Sequence, residues 1–210
     1  MKKLLFWMVL IVGIVVLLGS CAKKDDDSTA TVTPFTSTTT AAGSITVGSV
    51  AMSGTYVSGC NTSGVAAAVS GGYFPSDIKA NRDVLVVTGN DNISEEGHFY
   101  TDTSCSTLSV YSKNGNDNFT VGDASGDYYK VTYQELGYKN KAGTAVWEAF
   151  YENYFSTNNI TASGTTIDLV VGTEYDVGGS GVNEMNIFYV SSTIVRLGDG
   201  DNATQPTEMD

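Results

Sequence analysis

Few side chains in this chain are suited to chemistry, and their types narrow what it can do. Three cysteines, Cys21, Cys60 and Cys105, offer thiols for acylation, oxidation or metal ligation. His98 is the only histidine, so a Ser-His-Asp relay would have to be built on it, and no Gly-x-Ser-x-Gly elbow leads into a helix. Beside Phe99 and Tyr100 it reads as a structural or surface residue of a strand. Glu148, Glu152, Glu174 and Glu184 could supply the paired carboxylates of glycoside hydrolysis, but no motif pairs them. Asp199, Asp201 and Asn202 carry the hard oxygens that calcium takes, without the full loop pattern. No catalytic residue, cofactor or metal site is assigned on this basis, and the chain is not expected to be an enzyme.

The thiols acquire meaning from their surroundings. Lys2 and Lys3, an apolar run from Leu4 to Leu18, and the small residues Gly19 and Ser20 form a secretory signal peptide over residues 1–20. The run is too short to span a bilayer comfortably as a permanent helix. The segment Leu17-Leu18-Gly19-Ser20-Cys21 resembles the lipobox of bacterial lipoproteins. That resemblance implies cleavage before Cys21, lipid modification of Cys21 with palmitate-type acyl chains, and a lipid-anchored protein of the bacterial cell envelope, at the outer membrane. Each buried methylene of such chains contributes about 0.8 kcal/mol, so several chains anchor stably where one does not.

Residues 21–44 read as a lipidated flexible tether, because Lys, Asp, Ser, Thr and Ala cannot bury enough surface to offset their ordering entropy. Within it Lys23-Lys24-Asp25-Asp26-Asp27 is similar to a surface-export signal of some bacterial lipoproteins, and reads equally as a solvating charge run. Removing residues 1–20 takes the 11 basic and 23 acidic residues to 9 and 23, a net charge of −14. With only two arginines, Arg82 and Arg196, far apart, such a chain is not expected to bind nucleic acid.

Residues 45–210 have the length of one domain. They hold the other two cysteines, and in an oxidising envelope an isolated pair has one connectivity, Cys60 to Cys105. Short segments rich in Val, Ile, Thr and aromatics, such as 83–88, 128–133, 144–151, 166–171 and 185–190, read as strands. Turn signals fall at Gly89–Asn92, Asn114–Asp117, Gly178–Gly181 and Gly198–Asp201. No window sustains a helical period over three turns. Eight to ten strands at this spacing predict an all-β, up-and-down antiparallel barrel. In the segment 128–133, Tyr129, Val131 and Tyr133 share one face; in 145–150, Glu148 sits with Val146 and Phe150 and reads as an exterior residue.

Gly54-Thr55-Tyr56-Val57-Ser58-Gly59-Cys60 resembles the opening strand of lipocalin-like bacterial lipoproteins, with Tyr56 in the place of a tryptophan. Gly97 to Cys105 is similar to that family's Tyr-x-Asp-x-x-Cys strand, with Tyr100, Asp102 and Cys105 in its positions. Val195 to Asp201, followed by Gln205-Pro206-Thr207, looks like its closing segment with Gln205 replacing an arginine. The resemblance implies a lipocalin-like barrel whose interior binds one small apolar ligand or is filled by side chains. Tyr129, Tyr133, Tyr151 and Tyr189, with Tyr154 and Tyr175, could line such a cup or could be core residues. The rival expectation is a surface interaction or adhesion module that contacts a protein or glycan through loops at 114–118 and 178–181.

Overall fold

The computed structural model describes residues 22–24, 39–159, 161–162, 165–178 and 181–198. Thirteen strands and two helices follow in the order β1 (Ala22–Lys24), β2 (Ile45–Val47), β3 (Val50–Met52), β4 (Thr55–Val57), α1 (Val65–Ser70), β5 (Ala80–Val87), β6 (Ile93–Tyr100), β7 (Leu108–Ser125), β8 (Tyr128–Ala142), α2 (Ala145–Thr157), β9 (Thr161–Ala162), β10 (Thr165–Thr166), β11 (Glu174–Gly178), β12 (Asn183–Val190) and β13 (Ile194–Leu197). Around the wall the neighbours are β1, β4, β5, β6, β7, β8, β12 and β13, antiparallel at every step, and the sheet curls into a nearly closed barrel. The strands β1, β4 and β13 are three or four residues long, so the wall on their side is low. The hairpin β2–β3 and the hairpin β9–β10 stand outside the main sheet.

Side-chain alternation then sorts each long strand into an inward and an outward face. Cross-strand partners lie in rows: Val87, Ile93, Asn116 and Glu135; then Leu85, Glu95, Asn114 and Tyr138; then Asp83, Gly97, Ser112 and Asn140; then Asn81, Phe99, Val110 and Ala142. Because Leu85, Val87 and Ile93 belong to the core, all four rows face inward. One apolar cluster (Tyr56, Leu85, Phe119, Val131, Phe188, Val195) fills one end under the β2–β3 hairpin, which contributes Ile45, Val47 and Met52. Its turn residue Gly48 has φ 61°, and a Cβ there would lie 2.2 Å from the Tyr129 hydroxyl oxygen, so only glycine lets the hairpin seat over Tyr129. A second cluster (Val65, Phe74, Ile78, Phe99, Val110, Trp147) closes the other end beneath α1 and α2.

The strands at 83–88, 128–133 and 185–190 form where the residue pattern puts them, inside β5, β8 and β12. Three expectations are overturned. Residues 145–157 are helical: Thr144 caps the helix through its side chain, and Trp147, Tyr151 and Phe155 recur at one-turn spacing to face the core. The aromatic content that suggested a strand is the buried stripe of a helix, and Glu148 lies in its first turn. Asn114–Asp117 is not a turn but the middle of β7, with Asn114–Asn116 paired on both sides with β6 and β8 and Asp117 paired with β8, so it offers no interaction loop. Of the expected strand at 166–171 only Thr166 belongs to one, and Ile167 and Leu169 pack beside Phe155 from a segment without regular secondary structure.

Most of the segment expected to be a flexible tether, residues 25–38, lies outside the described residues; its described ends, 22–24 and 39–44, touch the barrel. Ala22–Lys24 forms the strand between β13 and β4. Further on, the Ala42 N–H donates to the Val87 carbonyl at 2.9 Å, and the Ser44 N–H donates to Asn90 Oδ1. Thr39 Oγ1 donates to Glu96 Oε1. Backbone donors that find strand-edge acceptors offset the ordering entropy that composition alone counts against.

The disulfide Cys60–Cys105 is present, with Cα atoms 5.8 Å apart. Cys105 has φ 54°, an unfavourable conformation for a residue with a side chain, and its loop is organised by Asp102. One Asp102 carboxylate accepts from the backbone N–H groups of Ser104, Ser106 and Thr107 and from the hydroxyls of Ser104 and Ser106. The hydrogen bond from the Ser104 side chain leads the effects on its carboxyl; burial opposes it, and the backbone N–H groups of Ser106, Thr107 and Ser104 add to it, so that the carboxyl is held far below the usual carboxylate range.

Candidate functional site

Between the two apolar ends the barrel interior is polar. Glu95, Asn114, Asn116, Glu135, Tyr138, Ser112 and Asn140 project from β6, β7 and β8, and Glu184 and Asn186 from β12, where their register partners are Tyr133 and Val131. Glu135 and Tyr138 share the inward face only because of a bulge: Gly115 pairs with Gly137 but Asn116 pairs with Glu135, leaving Leu136 as the extra residue. Leu136 is turned outward, 56 % exposed, and Gly137 takes φ 148°, which favours glycine.

A chain of hydrogen bonds links these groups. Asn114 Nδ2 donates to Glu135 Oε1 at 3.0 Å and to Asn116 Oδ1 at 3.1 Å, and Asn116 Nδ2 donates to Glu95 Oε1 at 3.4 Å. Asn186 Nδ2 reaches the Tyr133 hydroxyl at 3.3 Å. The Tyr138 hydroxyl is hydrogen-bonded to Glu135. The acceptor Oδ1 of Asn114, the Oδ1 of Asn140, the Ser112 hydroxyl and the Trp147 indole Nε1 are buried with no hydrogen-bond partner. Unsatisfied groups of this kind cost about 1–3 kcal/mol each; those of Asn114, Ser112 and Asn140 lie on adjoining rows of β7 and β8, while others stand elsewhere, at Asp77, Asn81 and Arg82.

The electrostatics follow from burial. Protein surrounds the Glu95 carboxyl, which keeps only partial solvent contact; that desolvation, then the negative charges of Glu184 and Glu135, push its pKa up to about 8. Burial, then Glu95 and Glu184, raises the Tyr133 hydroxyl well above its ordinary value. Burial, then Glu135, does the same for Tyr138. The inward positions on β4–β8, β12 and β13 with described side chains hold no lysine or arginine.

The expected site residues divide. Tyr133 lies in the interior, stacked parallel on Phe119 with centroids 5.9 Å apart; Tyr129 is at the hairpin-covered end. Tyr151 is on α2, stacked on Trp147 at 4.9 Å, and Tyr154 and Tyr175 pack on the Phe155 cluster outside that centre. Tyr189 is on the outward face, with the Arg196 guanidinium 5.7 Å from its ring. Cys21, Asp199, Asp201 and Asn202 lie outside the described residues.

The four glutamates considered for acid-base chemistry are dispersed. Glu152 Oε1 accepts from the Leu169 N–H and ties α2 to the following segment. Glu174 is on the outer surface, and only Glu184 faces the interior. Glu95 and Glu135 were missed, although the alternation Ile93, Glu95, Gly97, Phe99 carries the signal for Glu95. His98 is buried on the outward face of β6, its Nε2 2.7 Å from Glu96 Oε2 and its ring stacked on Tyr111. Among the described residues no three His, Cys, Asp or Glu side chains converge to hold a metal ion, and no described helix is long and apolar enough to cross a membrane.

A groove of about 580 Å³ crosses the outer surface, lined in part by Thr39, Ser94, Lys113, Leu136, Lys139 and Asp176. On the same outer face Glu174 Oε2 is 2.8 Å from Lys113 Nζ and accepts from the Tyr111 hydroxyl at 2.6 Å, and Lys139 Nζ is 3.6 Å from Glu174 Oε1. Burial would raise the Glu174 carboxyl, but the hydrogen bonds from Lys113 and Tyr111 and the charges of Lys113 and Lys139 outweigh it and hold its pKa below the ordinary value. No protein-family model matches the chain, and no curated protein matches it.

Proposed function

We propose that this protein is a lipoprotein of the bacterial cell envelope, anchored at the outer membrane by acyl chains on Cys21, with a lipocalin-like barrel that takes one small ligand into its interior. The observation that carries the binding half is the inner polar layer: buried Asn114 Oδ1, Asn140 Oδ1 and Ser112 Oγ without partners, beside three carboxylates and between two apolar ends. Interiors evolved only for packing leave few such groups, whereas ligand sites combine apolar walls with a few convergent polar atoms. The ligand therefore has an apolar body, as the sequence suggested, and in addition a polar group that reaches the centre. The anchoring half rests on the lipobox resemblance at Leu17–Cys21.

Two experiments test these halves separately. Metabolic labelling with radioactive palmitate is expected to label the wild type and not Cys21→Ser; label retained by Cys21→Ser contradicts the anchor. Solvent extraction of the purified full chain followed by mass spectrometry is expected to release one small molecule in near-stoichiometric amount. Ser112→Phe, which fills the row containing Gly97, should lose it. A chain that is reproducibly empty overturns the binding half.

A second reading, a surface module that contacts an envelope protein or glycan, is favoured by the outer groove beside Lys113 and Lys139. It predicts that Lys113→Glu abolishes partner capture while Ser112→Phe does not.

A further inference from the structure

Resting on the second reading, contact through the outer groove, we propose that this groove is a saccharide site and that its occupant is a short, uncharged glycan. Three observations carry the assignment. The first is the floor. Ser94 of β6, Gly115 of β7 and Gly137 of β8 stand side by side on the outward face, so three neighbouring strands, about 10 Å across, present almost no side chain. Gly137 needs its glycine for φ 148°. Gly115 has no positive φ, and a Cβ added there would meet only Leu136, at 3.8 Å, an ordinary contact distance. Neither backbone conformation nor crowding calls for glycine at 115. A bare position inside a strand weakens it and marks a place where something else approaches the backbone. What its bareness opens here is the groove of about 580 Å³, which falls in the size range of small-ligand sites.

The second is what the walls offer. Along one side runs the next outward row, Lys113, Lys139 and Asp176, with Thr39 bonded to Glu96 of the same row. On the other side stand Thr88 and Asn92, from the turn between β5 and β6, and the outward-turned Leu136. Ammonium donors, a carboxylate acceptor, and hydroxyl and amide groups that do both therefore surround one apolar side chain. A sugar ring matches that set, because each hydroxyl donates and accepts while the C–H face of the ring is apolar. Charge disfavours an anion. Glu174 already lies 2.8 Å from Lys113 Nζ and 3.6 Å from Lys139 Nζ, and Glu96 and Asp176 flank the two lysines in register. An acidic ligand would meet a carboxylate wherever it met an ammonium group, and a cation would meet the lysines.

The third is that the floor has no open strand edge. Gly115 pairs with Ser94 on one side and with Gly137 on the other, and β8 goes on to pair with β11 at Tyr138 and Lys139. Backbone groups already committed to a ladder cannot take up an added strand, the usual way in which an extended polypeptide gains affinity for a sheet. Recognition in this groove therefore falls to side-chain hydrogen bonds and the Leu136 contact. Lys139 keeps 48 % of its side chain exposed, so it can turn to a ligand hydroxyl while Lys113 stays with Glu174.

A printed array of neutral and acidic oligosaccharides, probed with the full chain in a polyoxyethylene detergent and followed by isothermal titration with the best binder, tests the assignment. Expected is saturable binding of a neutral oligosaccharide. In Gly115→Val, whose side chain fills the groove, the affinity should fall by about tenfold or more, while the urea unfolding transition is retained. Ser112→Phe, inside the barrel, should leave the affinity unchanged; a loss there with none in Gly115→Val would place the sugar in the cup and contradict the proposal. If Gly115→Val does not fold, Leu136→Ser, at an exposed position, must still lower the affinity several-fold, and no change contradicts the proposal. An array on which only acidic glycans bind, or none, overturns it. Capture of an envelope protein that Lys113→Glu abolishes would then leave the second reading standing with a protein as the partner, and absence of that capture would remove both.

Discussion

Lys113 and Asn114 are adjacent in β7, yet they belong to opposite electrostatic worlds. Outside, Lys113 and Lys139 flank Glu174 and hold its carboxyl ionised below the ordinary range. Inside, Asn114 joins Glu135 and Asn116 to Glu95, whose carboxyl burial pushes up to about 8. The two glutamates have the same intrinsic acidity and differ only in which face of the wall they occupy. In a thin barrel, one residue of register decides whether a carboxylate is a solvated ion-pair partner or a buried group beside other carboxylates.

The largest effect that separates the two faces is expected in the pH dependence of stability. A carboxyl whose folded pKa lies above its unfolded value keeps its proton when folded after losing it when unfolded. Unfolding then releases a proton, and stability falls as pH rises from the model-peptide value of 4.5 toward 8. Urea unfolding of the wild type should show a loss on the order of 3 kcal/mol between pH 5 and pH 8 from Glu95. Glu95→Gln should flatten that slope and be the more stable protein at pH 8. A wild type whose stability is level or rises over that range breaks the comparison.

Next in size is Glu135→Ala. It leaves the buried Asn114 amide and the Tyr138 hydroxyl without their acceptor, a loss of about 2 kcal/mol after relief of the repulsion with Glu95. Denaturant midpoints compared at pH 6 measure it, and a neutral result would mean that the inner network is not formed.

The smallest effect belongs to the outer face. Glu174→Gln should cost less than about 1 kcal/mol, and the difference should shrink in high salt because its partners are partly exposed. Its sign in pH is opposite to that of Glu95: a lowered pKa contributes stability above the unfolded value, and that stability is lost as pH falls below about 4.5. A salt-independent cost would move Glu174 into the buried class.

The barrel itself was legible because β-branched and aromatic runs alternate between Gly and Asn turns, as at Asp83–Thr88 and Gly89–Asn92. The disulfide was legible from the isolated cysteine pair. What defeated the reading was polarity in the wrong place. Asn114, Gly115, Asn116 and Asp117 have turn composition, but strands pair with the first three on both sides and with Asp117 on one, and the asparagines point into a polar interior; pairing overrode propensity. Helix α2 was missed because aromatics favour strands, while the buried spacing of Trp147, Tyr151 and Phe155 is helical. Glu95 sits within an alternating strand, but Glu135 was beyond any periodicity argument. The bulge at Leu136 shifts the phase of β8 by one residue, and a shift of phase shows only once the partner strand is in place.

The inner and outer carboxyls can be compared directly in one experiment. In the full chain labelled with ¹³Cδ glutamate and assigned with Glu95→Gln and Glu174→Gln, the Glu95 carboxyl signal should titrate with a midpoint near 8. The Glu174 signal should titrate below the ordinary carboxylate value. A Glu95 midpoint at the ordinary value of about 4.5 would mean that water reaches it freely. The polar layer would then not be the enclosed interior on which the binding site is argued.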